Sequence, residues 1–94
     1  MAAALPATLT LAHARGTVTA LRAELERLPA GAAWTVDARA LQEFDTSALA
    51  VLLELRRAAQ ARGCTLQVAS APEQLGQLAA LYGVGALLGL QPSA

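Results

Sequence analysis

The sequence predicts an α/β fold, a small βαβαβα domain with a mostly parallel sheet and helices mainly on one of its faces. Two observations carry this. Short stretches in which apolar and polar residues alternate are separated by longer stretches with apolar residues three or four apart, and the connections between them are short. Each alternating stretch also has one apolar and one more polar side, which fits a sheet covered on one face by right-handed crossovers that follow a monotonic strand order.

The first alternation is "ATLTLAH", Ala7 to His13, with Leu9 and Leu11 on one side, and Arg15 with Gly16 is expected to end it. From Thr17 to Leu28 the residues Val18, Leu21, Leu25 and Leu28 make an amphipathic helix, stopped by Pro29 and Gly31. "AAWTVDA", Ala32 to Ala38, is the second strand, with Trp34 and Val36 on its apolar side. Residues 46 to 62 are the longest helical stretch, closed by Gly63 where a left-handed cap is wanted. "CTLQVAS", Cys64 to Ser70, is the third strand. Ser70 and Glu73 have capping-box spacing around Pro72, so a third helix is expected to run to about Tyr82, before Gly83. "VGALLGLQPSA" is expected to add one helical turn and a loose end. The whole of residues 1–94 is expected to form one domain, with a core from about residue 7 to 90 and flexible ends at 1–6 and 91–94.

The 94 residues suit one modest core. Seven basic residues balance seven acidic ones, which gives no electrostatic footprint for nucleic acid or for an anionic membrane. No apolar stretch approaches the ~20 residues of a membrane-spanning helix, and the N-terminus lacks the basic start of a signal peptide. With a single cysteine, Cys64, no internal disulfide forms, and a cytoplasmic protein is expected.

The motifs of common catalytic and cofactor chemistry are missing: C-x-x-C, H-E-x-x-H and the phosphate-binding glycine loops do not occur. His13 is the lone histidine and would have to lie beside Ser47 or Cys64 to activate a nucleophile. Asp37 and Asp45, with Glu43, are too few for a metal cluster. The sequence calls for no catalytic residue, metal or cofactor.

The most unusual stretch is "EFDTSALAVLLEL", Glu43 to Leu55, where Asp45, Thr46 and Ser47 stand before a long apolar run. Asp45 or Thr46 suits a helix N-cap, and with Asp45 in that place Phe44 and Leu49 occupy the staple positions. At ~100° per residue, Ala48, Val51, Leu52, Leu55, Ala58 and Ala59 share a core-facing arc, and Leu49 and Leu53 point away from it. Two accounts stay open. Phe44 or the C-terminal tail covers the two leucines, or Thr46, Leu49, Ala50, Leu53 and Arg57 form an exposed stripe with the anatomy of a docking surface. A phosphate on Thr46 would add about two negative charges to such a surface.

These residues carry a resemblance. "WTVDA", "FDTSALAVLLEL", "GCTLQVAS" and "LGQLAALYGVGALL" together resemble a STAS domain over about residues 33 to 90. Asp45, Thr46, Ser47, Ala48 and Leu49 match the D-[ST]-small-small-L start of that family's second helix. Within the family, the threonine, the short chain and "LAALYGV" resemble most the small MlaB-like STAS subunit of Mla phospholipid-transport ABC systems. That resemblance implies a non-enzymatic subunit docked on an ABC transporter ATPase subunit at the cytoplasmic side of the inner membrane, without inserting into it. The implied partner-binding residues are Asp45, Thr46, Ser47, Leu49, Ala50, Leu53 and Arg57. The other branch, anti-sigma factor antagonists, implies phosphorylation of Thr46 by a partner kinase. The family usually opens with a two-strand hairpin, so an edge strand is expected to be missing or poorly formed here.

Overall fold

The computed structural model describes residues 2–88 and 90–92. Along the chain it forms β1 (Ala2–Ala4), β2 (Thr8–Leu9), α1 (Leu11–Leu25), β3 (Ala33–Asp37), β4 (Glu43–Phe44), α2 (Ser47–Ala61), β5 (Thr65–Ala71), α3 (Glu73–Leu81), α4 (Gly85–Leu88) and β6 (Leu90–Pro92). The main sheet has the order β1-β3-β5-β6 with every pairing parallel, and β2 pairs with β4 in a separate parallel ribbon. Each strand of the main sheet lies beside the next one in the chain. Right-handed crossovers then put α1, α2 and the α3–α4 pair on one face. The burial pattern agrees: Trp34, Val36 and Val68 are buried, whereas Ala33, Thr65 and Gln67 on the opposite face are exposed.

The central elements stand where the periodicities place them. β3 and β5 keep the expected alternation in register, with Trp34 opposite Leu66 and Val36 opposite Val68. In α2, Ala48, Val51, Leu52, Leu55 and Ala59 are buried and Ala58 packs on them half-buried. Gly63 takes φ +72° and completes a Schellman stop for α2, with the Cys64 N–H donating to the Ala59 carbonyl (2.8 Å) and the Gly63 N–H to that of Gln60 (3.0 Å). Gly83, at φ +71°, ends α3 in the same way. The expected C-terminal turn is α4, whose Leu88 is buried.

The N-terminal third differs from expectation. The alternation from Ala7 to His13 yields strand only at Thr8–Leu9, and the helix starts at Leu11 and runs through Arg15 and Gly16. Thr10 holds the N-cap position in extended conformation, and its Oγ1 lies 3.0 Å from His13 Nδ1, closing the first turn. Leu9 and Leu11 look alike in the sequence, yet Leu9 is fully buried and Leu11 is 77% exposed. Gly16 sits within a helix it disfavours by about 1 kcal/mol relative to alanine, a cost met by burial of Leu21 and Leu25 further along.

The strand paired with β3 is the alanine run Ala2–Ala4, extended by the Leu5 N–H donating to the Asp37 carbonyl at 2.9 Å. The edge strand is present, and Ala3 and Leu5 are core residues instead of part of a loose end. At the other end Gln91 and Pro92 belong to β6, and the loose end expected at Ser93 and Ala94 lies outside the described residues. The Ser70–Glu73 capping box also does not form. β5 continues to Ala71, which is buried, so Ser70 lies within the strand at φ +56° beside an irregular pairing with β6, and Pro72 holds the N-cap position of α3.

Candidate protein-docking site

The parallel strands end beneath the heads of α1 and α2, the edge at which open α/β sheets present their sites. Asp45 joins these two helices. Its Oδ1 accepts the Ser47 N–H at 2.8 Å, and its Oδ2 accepts the Leu11 N–H at 3.3 Å. One carboxylate thus satisfies otherwise orphaned donors at two helix N-termini, where a negative charge is favoured. The carboxyl is held below its ordinary value of 3.8, foremost by the Ser47 backbone N–H; desolvation, the next largest effect, opposes this, and the Ser47 hydroxyl and the Leu11 N–H lower it further.

Thr46 already has helical dihedrals, φ −62° and ψ −16°, and its side chain makes no capping bond. Of the two cap candidates the side chain that caps is therefore Asp45, and the Thr46 side chain is exposed at the head of the helix. Ser47 is half-buried, and Ala50 and Arg57 are exposed. Thr46 and Arg57 are eleven positions apart, about 16 Å along the helix, so Arg57 stands well away from the threonine.

Leu49 does not belong to an exposed stripe. It is 4% exposed and part of the core, and Leu53 packs on the same core half-buried. The helix wheel is correct, but α1 and α4 both pack against α2. The first half of α1 lies along the Ala50, Val51 and Glu54 side of α2, which the wheel places across the core-facing arc from Leu49 and Leu53, so α1 is not what covers the two leucines. Phe44 is half-buried and packs on the core cluster to which Leu49 belongs.

What the sequence reading missed is the surface beside Thr46. A groove of about 220 Å³ runs between the first half of α1 and α2, with Val18 and Val51 in its lining and Leu11 at its mouth. A wider, open groove of about 550 Å³ lies between the end of β1 and α1, and His13 is the one titratable residue lining it. Cys64 is buried with its Sγ 3.6 Å from the Pro29 carbonyl, beyond the far end of α1 from His13, so the two are not a nucleophile and its base. Among the described residues no group of three His, Cys, Asp or Glu could hold a metal ion, and no helix is long and apolar enough to cross a membrane.

The family model described as "Mlab, STAS domain" matches residues 6–90. The chain belongs to the MlaB-type STAS family. A search of curated proteins returns no match. In this STAS domain the D-T-S run at 45–47 heads the second long helix, and the chain's mixed α/β architecture with parallel strands is consistent with the STAS fold.

Proposed function

We propose that this STAS domain is a non-enzymatic subunit that binds and supports the ATPase subunit of an Mla-type phospholipid ABC transporter, from the cytoplasmic side of the inner membrane. The observation that carries this reading is the exposed Thr46 at the head of α2, beside an Asp45 whose carboxylate is committed to the backbone of two helices. Such a turn is rigid and offers a hydroxyl without an internal duty, which suits recognition by a protein surface. Members of the STAS family generally bind or regulate without catalysis. In this reading Thr46 is the polar anchor, Asp45 and Ser47 hold its turn, Ala50 lies within the contact, Leu53 is half-covered beside it and Arg57 forms a distant rim. Leu49 supports the face from beneath.

Co-expression with the ATPase subunit of such a transporter from the same cells tests the reading. The wild-type domain co-purifies with the ATPase, and Thr46→Glu is lost from the complex while unfolding at the wild-type temperature. Wild type that fails to co-purify would sink the proposal. A free, exposed Thr46 side chain also favours a second reading, an anti-sigma factor antagonist phosphorylated at this residue. Transfer of phosphate to Thr46 by a kinase of the same cells, with no ATPase bound, would establish it instead.

A further inference from the structure

We propose that Asp45 is a positioning residue for docking: by holding the cap of α2 it denies that place to Thr46 and keeps the Thr46 hydroxyl free for the partner. This rests on the ATPase-docking reading above. Two neighbouring residues here are able to cap the helix, since aspartate and threonine both carry a side-chain oxygen that accepts a first-turn N–H. Only one does so at a time, because the cap residue is itself non-helical and the residue after it is helical. Asp45 has the place: its Oδ1 accepts the Ser47 N–H at 2.8 Å, and Thr46 follows with helical dihedrals and no capping bond.

A Thr46 cap would take the N–H groups two and three residues on, those of Ala48 and Leu49. They are held instead by the carbonyls of Asp45 and Thr46, at 3.0 and 3.1 Å. The Leu11 N–H, 3.3 Å from Oδ2, fixes the Asp45 carboxylate from its other side. Without that carboxylate the Ser47 N–H loses its acceptor, and the helix restarts one residue later with Thr46 as its cap. A hydroxyl that accepts from its own backbone is drawn away from a partner. The threonine thus serves docking or folding, and Asp45 decides which.

The test combines thermal unfolding of the full chain with its affinity for the purified ATPase subunit, for wild type, Thr46→Val, Asp45→Ala, Asp45→Asn and the Asp45→Ala, Thr46→Val double variant. In the wild-type background Thr46→Val should move the unfolding midpoint by about 2 °C at most. In the Asp45→Ala background it should lower the midpoint by about 4–8 °C, the loss of a cap in a domain of this size. That non-additivity marks a cap handed from one residue to the next, which a purely structural Asp45 would not give. Asp45→Ala should weaken ATPase binding about tenfold or more with Thr46 intact. Asp45→Asn, whose amide oxygen still accepts a first-turn N–H, should recover part of that loss. If Thr46→Val costs the same in both backgrounds, or Asp45→Ala binds as wild type does, the inference falls and the docking reading stands. An Asp45→Ala chain that does not fold would also overturn it, because Thr46 then fails to take over the cap. Equal loss of binding in Asp45→Ala and Asp45→Asn would mean that Asp45 meets the partner with its charge, and the positioning role would fall. If the wild-type chain does not bind the ATPase, the docking reading and the inference fall together.

Discussion

The Asp45 carboxylate holds the Leu11 backbone N–H across 34 residues of sequence, and the same side chain caps the helix that follows it. One ionised group therefore ties together the heads of two helices that also pack on each other. Because the folded-state pKa of Asp45 is depressed, the stability it contributes is present above the ordinary value of 3.8 and is lost as pH falls through the lower, folded value. Asp45→Asn should be less stable than wild type at pH 7, and the gap should shrink below about pH 4. Thermal unfolding of both proteins across pH 2 to 7 measures this, and a gap independent of pH would contradict it.

Leu49 and Leu11 should behave in opposite ways. Leu49→Ala removes a buried side chain and should cost about 2–5 kcal/mol, whereas Leu11→Ala changes an exposed one and should stay within about 0.5 kcal/mol of wild type. Urea unfolding distinguishes them. Equal costs would mean that Leu49 is not in the core.

Two glycines predict substitutions of opposite sign. Gly63 adopts φ +72°, and an added Cβ would meet its nearest atom at an ordinary 3.7 Å, so Gly63→Ala pays the left-handed conformational cost alone, about 1–2 kcal/mol. Gly16 lies within α1 with no atom within 4 Å of an added Cβ, so Gly16→Ala should stabilise by about 0.5–1 kcal/mol. Melting temperatures displaced in opposite directions would bear this out.

Cys64 should resist thiol reagents in the native state. Its side chain is buried at the junction of the α2 stop and β5, with its Sγ near the Pro29 and Arg62 carbonyls. Labelling by a disulfide reagent should proceed no faster than the opening of that junction and accelerate with urea. Rapid, complete labelling in native buffer would show the region to be open.

The middle of the chain was legible because its residues differ strongly in polarity: Trp34 and Val36 against Thr35 and Asp37 leave one pattern to choose. Ala2–Ala4 carries no such contrast, since alanine suits strand, helix and loop alike, and its place in the sheet comes from pairing with β3. Leu9 and Leu11 form a pair two apart, as a strand would, but Leu11 is the first residue of a helix, its N–H bound by Asp45, which lies 34 positions on in the sequence. The head of α2 was legible as a helix start. The burial of Leu49 was not, because a wheel gives direction within one helix and says nothing of the neighbour lying over it.

The order of the sheet bears on how the protein is made. Each main-sheet strand finds its partner in the strand just before it, so a chain emerging from the ribosome can complete one layer before the next is synthesised. β3 and β5, the two inner strands, are separated only by β4 and α2, and the last strand to appear merely borders a sheet already laid down. No early segment has to wait, unpaired, for one that is made last.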